Sequence, residues 1–291
     1  MKMTVKYLSL CVMVLVLAFS VSCTRSKQST TAELRLGFIP DESKETLLKK
    51  LQFLKEYLEK EMEMKISYVI PTTYDELIAL FVKGDVDVGY FGGLTYVRAA
   101  KATPTVPLFM RKADEKFHSY FIVKSDSDIN SLEDLRGKTF TFGSESSTSG
   151  HLMPRYYLKE NKINPDYDFK GKPKYSGAHD KTVQWVMEGK VEAGVLSALV
   201  FDRMVKEGKI SQKEIKIIWT TPPYVDYVWA ARADIDPEIS KKLKDAFLGL
   251  LPGDPEQRKI LDTLSAQYYV SAQDKQFSII RKVASELKLL K

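Results

Sequence analysis

The chain has almost no sulfur or imidazole chemistry to offer. It holds two cysteines and three histidines in 291 residues. The cysteines are Cys11 and Cys23, both close to the N-terminus. A disulfide-stapled scaffold and a Cys-ligated zinc site are therefore excluded, and thiol catalysis with them. His118, His151 and His179 stand far apart and lack metal-ligand spacing. No G-x-G-x-x-G, no P-loop lysine and no H-E-x-x-H pair is present. Gly143 to Ser147 is not a nucleophile elbow, because Glu145 occupies the nucleophile position. A hydrolase would need Ser147 or Ser149 with His179 and Asp226, and nothing local arranges such a triad. The acidic pairs Asp85/Asp87 and Glu133/Asp134 sit where solvated faces are expected. No block of Lys and Arg stands out, and the net charge of +6 is mild, so a nucleic-acid partner is not expected. Neither a cofactor nor a metal is called for.

The N-terminus supplies an address. Lys2 and Lys6 precede an apolar run, Leu8 to Val21, too short for a membrane span and suited to a secretory signal peptide. The run ends at Ser20-Val21-Ser22-Cys23, where small residues before a cysteine resemble the bacterial lipobox, with Ser20 in place of the usual leucine. Residues 1–22 are expected to be cleaved, Cys23 to be lipidated, and 23–32 to form a polar tether to the membrane. Loss of Lys2 and Lys6 lowers the net charge from +6 to +4 and leaves a mature chain with no free thiol. Its length suits two lobes.

Strand and helix patterns then alternate. Glu33 to Ile39 has period-two alternation, and Lys44 to Lys60 places Leu47, Leu51, Leu54 and Leu58 at helical spacing. Lys65 to Ile70 predicts a strand, Tyr74 to Lys83 a helix stopped by Gly84, and Val86 to Phe91 a strand closed by Gly92-Gly93. Strands are expected at 106–110 and 119–123. The rhythm restarts with a strand at 139–142, a helix at 153–161, a helix at 180–187 and a strand at 193–196. The stretch Gly84 to Phe91 is echoed by Gly189 to Leu196, a helix followed by G-x-V-(D/E)-(A/V)-G. The expected fold is α/β, with two lobes that each carry a mostly parallel sheet flanked by helices, and a ligand cleft between them. The expected crossovers lie near Val123-Lys124 and Pro223 to Tyr227. That assigns 33–123 plus 225–291 to lobe I and 124–224 to lobe II.

Ser147-Thr148-Ser149-Gly150, between the strand at 139–142 and a helix, is the densest chemical feature. Hydroxyls and free backbone N–H groups at a helix N-terminus suit a tetrahedral oxyanion, although the same residues also serve as ordinary helix caps.

Taken in order, these segments resemble the phosphate/phosphite/phosphonate-binding proteins of ABC importers, the PhnD-like solute-binding family with the type II periplasmic-binding-protein fold. The resemblance spans nearly the whole mature chain. It is carried by Gly84 to Gly92, Ser131 to Lys138, Ser147-Thr148-Ser149-Gly150-x-Leu152-x-Pro154, Gly177 to Asp180, Pro222 to Trp229 and Tyr268 to Ile280. It implies a monomeric extracytoplasmic lipoprotein that captures a small anion by hinge closure and delivers it to a permease and ATPase complex. A sensor feeding a two-component system is the alternative role, and an enzyme on the same fold a more distant one.

The resemblance also implies a pocket. Ser147, Thr148 and Ser149 would donate to the anion, His179 would add an imidazole N–H and Tyr74 a phenol. Asp226 would accept from a protonated ligand oxygen, and Phe91 would form a wall. Two departures bear on the ligand. Phe91 stands where the family has a second ligand tyrosine. Leu199 stands where members that take aminated phosphonates have an acid. Both favour phosphate, phosphite or a simple phosphonate, or a related ion such as arsenite, over an aminophosphonate.

Overall fold

The computed structural model describes residues 33–290. The expected signal peptide, Cys23 and the tether lie outside them. Among the described residues no helix is long and apolar enough to cross a membrane.

The first part of the chain runs β1 (Glu33–Phe38), α1 (Lys44–Met62), β2 (Lys65–Val69), α2 (Tyr74–Lys83), β3 (Val88–Phe91), α3 (Gly93–Ala102) and β4 (Thr105–Arg111). The second part runs β5 (Ser119–Lys124), β6 (Phe140–Phe142), α4 (Met153–Glu160), β7 (Lys174–Tyr175), α5 (His179–Met187), β8 (Ala193–Ser197), α6 (Ala198–Lys206) and β9 (Ile215–Thr220). The chain then returns through β10 (Val228–Arg232), α7 (Pro237–Leu248), α8 (Pro255–Thr263), β11 (Tyr269–Ser271) and α9 (Ser278–Glu286).

Local chemistry accounts for the helices that matter here. On α1 the buried side chains are Leu47, Leu51, Leu54, Leu58 and Met62, one face at helical period, and Ser43 caps its start. Thr73 caps α2 by accepting from Glu76 N at 3.1 Å. Gly84, at φ +89°, ends α2 with its N–H on the carbonyls of Leu80 and Phe81, a left-handed closure that glycine adopts without cost.

Two sheets result, ordered β11-β4-β10-β3-β1-β2 and β7-β6-β8-β5-β9. In the first, β1 to β4 run one way, and β10 is inserted antiparallel between β3 and β4. In the second, β5 plays the same part, antiparallel to β8 and β9. Each inserted strand is the first to enter its sheet after a crossover.

The position of β5 corrects one expectation. Val123-Lys124 is not a crossover, since both residues are paired within the five-stranded sheet, Val123 with Ala193 and Lys216, Lys124 with Ile215. Phe121, Ile122 and Val123 are all buried, and a central strand buried on both faces needs neighbours on both edges. The chain passes between sheets at 112–118 and again at 221–227, so the first sheet draws on 33–111 and 228–271, and the second on 119–220. Residues 225–227 lie in the second of these passages and not in β10. The two crossovers pair with each other: Phe117 N donates to Tyr224 O at 2.7 Å and Tyr224 N to Phe117 O at 3.0 Å.

Candidate functional site

The Ser/Thr segment lies where β6 hands over to α4. Ser147 has extended backbone angles, and its Oγ accepts from Gly150 N at 2.9 Å. The hydroxyl therefore serves as a cap, and its own proton remains available. Residues Thr148–Leu152 form a wide π-type turn, a geometry that recurs at functional sites. The backbone N–H groups of Thr148 and Ser149 have no hydrogen-bond partner among the described residues. Gly150 is required by close approach, because a Cβ there would come within 2.9 Å of Ser147 Oγ and 3.2 Å of His179 Cε1. That contact also sets His179 beside the turn. Ser119 Oγ fixes the turn from below by donating to Ser149 O at 2.7 Å.

The first sheet supplies the opposite wall. Asp226 is buried, and its Oδ1 accepts from Gly93 N at 2.9 Å, at the start of α3. Its Oδ2 has no hydrogen-bond partner among the described residues. Burial pushes this carboxyl up to about 7, against the pull of the Gly93 N–H and the Thr148 and Ser149 hydroxyls. Thr148 Oγ1 accepts from Leu94 N at 2.9 Å, so the turn of the second lobe touches the first directly. Tyr74, the first residue of α2, is buried near Ser147, and its Oη has no hydrogen-bond partner among the described residues.

His179 opens α5. Its backbone N donates to Asp41 O at 2.9 Å. Nδ1 accepts from Ser197 N at 3.3 Å, which assigns the proton to Nε2. Nε2 lies 3.3 Å from Tyr227 Oη, and that hydroxyl donates to Asp41 Oδ2 at 2.9 Å. Burial depresses the imidazole to about 4 and Glu42 opposes this only in part, so the ring is a neutral N–H donor at physiological pH. In a proton NMR titration the Cε1–H resonance of His179 should move with a midpoint near pH 4. A midpoint near 6.5, where an imidazole ordinarily titrates, would remove the neutral-donor role.

Three successive residues after β1 clasp the other lobe. Asp41 O receives the His179 N–H, Glu42 pairs with Arg203 of α6, and Ser43 N donates to Asp180 Oδ2 at 2.9 Å. Glu42 also pairs with Lys50 at 2.7 Å. Burial works against its charge, but Lys50 and Arg203 outweigh it and hold the carboxyl low. Asp41 is pushed up to about 6 by burial and by Glu42 beside it. On the far side Arg98 of α3 donates to Ser146 Oγ and to Asp75, both at 2.6 Å.

Of the residues expected from sequence, Tyr74, Ser147, Thr148, Ser149 and Asp226 gather between the lobes, whereas His179 packs against Gly150 with its Nδ1 taken by Ser197 N and its Nε2 turned to Tyr227 Oη, so the imidazole N–H expected for the ligand is directed to Tyr227. Phe91 does not join them. Its ring is buried against Phe81, edge-on at 5.1 Å, because strand alternation turns it beneath α2. Gly92 and Gly93 bring backbone to the seat in its place. A Cβ on Gly92 would come within 3.1 Å of Thr148 Oγ1 and 3.3 Å of Asp226 Oδ1.

Asp41, Glu42 and Tyr227 were missed by sequence reasoning. One signal was present: Asp41 and Glu42 follow the C-terminal end of β1, where ligands of α/β folds gather. They also qualify the reading of Leu199. No acid flanks Leu199 in sequence, yet the cavity it lines also carries Asp41 and Glu42 from the other lobe. Glu42 is neutralised by two cations, and Asp41 already accepts from Tyr227. Among the described residues no group of His, Cys, Asp and Glu could hold a metal ion.

Two sheets joined by paired crossovers, with polar groups of both lobes turned on one enclosed point, define a two-lobe solute-binding protein of the type II periplasmic class. Residues 36–277 match the family described as ABC transporter, phosphonate, periplasmic substrate-binding protein. A probable ABC transporter phosphite-binding protein, PhnD1 of Prochlorococcus marinus, is 32% identical, over 87% of this chain and 89% of its own. The structure of PhnD1 in complex with methylphosphonate superposes with a TM-score of 0.84, covering 88% of this chain and 98% of that one. The phosphate-import protein PhnD of Mycolicibacterium smegmatis is 30% identical, over 80% of this chain and 78% of its own. A Pseudomonas aeruginosa binding protein of an ABC phosphonate transporter, 22% identical, shares the fold at a TM-score of 0.81, covering 89% of this chain and 87% of that one. The chain belongs to the phosphonate-binding family of ABC-transporter substrate-binding proteins. The family consists of extracytoplasmic binding proteins and not of enzymes.

Proposed function

We propose that the protein captures a small phosphorus oxyanion (phosphate, phosphite or a simple phosphonate) between its lobes and presents it to an ABC permease. The observation that carries this reading is a set of polar groups around one point with no partner among the described residues: the N–H groups of Thr148 and Ser149, Tyr74 Oη and Asp226 Oδ2. Three donors and one carboxyl oxygen fit a tetrahedral anion that shares a proton with Asp226. An anion facing a carboxylate is repelled unless a proton lies between them, and a carboxyl near pH 7 can supply or accept that proton. No side-chain cation belongs to the set. Neutral dipoles and a helix N-terminus stabilise the charge, which suits a carrier that must also release its cargo. Names of the relatives support the same class: a phosphite-binding protein, a phosphate-import protein and a chain bound to methylphosphonate.

In this reading the lobes rotate about the paired crossovers. The anion docks on the Ser/Thr turn, and the first lobe closes with the 41–43 clasp. The protein acts as a monomer held to the membrane by lipid on Cys23. Labelled-palmitate incorporation that survives Cys23→Ala would remove the anchor from this account.

Isothermal titration of the purified protein with phosphate, phosphite, methylphosphonate and 2-aminoethylphosphonate tests the ligand class. At least one of the first three is expected to bind with Kd at or below about a micromolar, the range of a specific carrier. Tight binding of only the aminated ligand, or no heat with any, would overturn the reading.

A further inference from the structure

The rungs of the wide turn at the seat span five residues. Leu152 N donates to Ser147 O at 3.0 Å, and Met153 N donates to Thr148 O. The rung that would serve Ser149 O falls to Pro154, which has no N–H. A buried side chain from outside the turn fills that gap: Ser119 Oγ, at the start of β5, donates to Ser149 O at 2.7 Å.

The direction of the neighbouring bonds follows from this one. A carbonyl only accepts, so the single hydroxyl proton of Ser119 is committed to Ser149 O. Ser119 Oγ is also bonded to Tyr224 Oη, and the proton in that bond must come from Tyr224. Burial and the nearby Asp226 push the phenol well above its ordinary range, so it keeps its proton. On the other side of the same peptide, Gly150 N donates to Ser147 Oγ at 2.9 Å, which leaves the Ser147 proton for the cleft. Every link runs one way: Tyr224 to Ser119, Ser119 to the Ser149–Gly150 peptide, and that peptide to Ser147. The head of the chain is the residue whose backbone pairs with Phe117 between the crossovers.

We infer that Tyr224 is a positioning residue for the anion seat, acting through Ser119 and the Ser149–Gly150 peptide to set Ser147 as a donor. This rests on the phosphorus-oxyanion reading above. Hydrogen bonds in series polarise one another, by about 10–30% per bond. The last hydroxyl of such a chain is a stronger donor to a negative oxygen than an isolated serine. The same bonds fix the tilt of the peptide plane beneath the anion. Because the chain starts in the second crossover, the conformation of that passage is felt at the seat.

Tyr224→Phe removes one hydroxyl and keeps the ring. Isothermal titration with phosphate, phosphite and methylphosphonate reads its effect on affinity, and nitrogen–proton NMR reads the amide resonance of Gly150. Tyr224→Phe should weaken the tightest of these ligands by about two- to threefold, the scale of a lost cooperative increment. Ser119→Ala removes the anchor of the turn and should weaken it by about tenfold. The double variant should match Ser119→Ala alone, because Tyr224 has no route to the seat once Ser119 is gone. Without ligand, the Gly150 amide proton should move upfield in Tyr224→Phe and further in Ser119→Ala, a signature that a packing role for the Tyr224 ring would not produce. Additive losses in the double variant would overturn the inference, as would an affinity or a Gly150 resonance unmoved by Tyr224→Phe. If Ser119→Ala does not fold, Tyr224→Phe and its Gly150 resonance decide. Absence of native binding to all three anions would instead remove the reading on which the inference rests, while the Gly150 shift, which needs no ligand, still tests the chain of bonds.

Discussion

Alanine at both Thr148 and Ser149 is expected to weaken anion binding by about a hundredfold to ten-thousandfold. Each hydroxyl can donate to a charged ligand, and a hydrogen bond to a charge contributes about 1.5–3 kcal/mol, so two account for about 3–6 kcal/mol. The loss should stop short of complete, because the backbone N–H groups of both residues survive the substitution. Thr148 carries a second duty, since its Oγ1 accepts from Leu94 N across the cleft at 2.9 Å. The single Thr148→Ala variant should therefore lose more affinity than Ser149→Ala. Isothermal titration gives the affinities, and circular dichroism checks that the fold is kept. An unchanged affinity in a folded double variant would dismiss the turn as the anion seat.

Asp226→Asn should reshape the dependence of stability on pH. The carboxyl is raised from 3.8 when unfolded to about 7 when folded, chiefly by burial and further by the nearby Asp114. A raised carboxyl stabilises the fold fully below pH 4 and loses that contribution as pH climbs through 7, because the folded state must then carry a buried charge. A shift of about three units corresponds to about 4 kcal/mol as an upper bound. The asparagine keeps the oxygen that accepts from Gly93 N and never ionises. Relative to native protein it should thus become steadily more stable between pH 4 and pH 8. Urea melts at both pH values measure the difference, and parallel curves would rule out a buried titrating Asp226. The native protein should also hold a phosphonate more tightly at pH 6 than at pH 8.5, with the slope flattened in the variant.

Much of this architecture was legible because it is local. The α1 stripe of Leu47, Leu51, Leu54 and Leu58 needs no partner to be recognised, and Thr73 and Gly84 mark the ends of α2 by their own conformational preferences. The Ser147 to Gly150 turn could be read for the same reason, its hydroxyls, N–H groups and glycine lying within four residues. What escaped was non-local. An apolar run such as Phe121-Ile122-Val123 specifies a buried strand and says nothing about which sheet will bury it. Phe91 was expected as a wall from the family resemblance alone, yet alternation along β3 turns its ring against Phe81. Asp41 and Tyr227 lie 186 residues apart and acquire meaning only when the crossovers bring them within 2.9 Å. The acids behind Leu199 were invisible for the same reason.

The reciprocal bonds between Phe117 and Tyr224 have a mechanical consequence. Two strings of chain joining two bodies would ordinarily permit sliding and twisting as well as bending. If the lobes close as proposed, strings bonded to each other at 2.7 and 3.0 Å would flex together about the line through that pair. One distance measured between labels on α2 and α4 would then follow that closure.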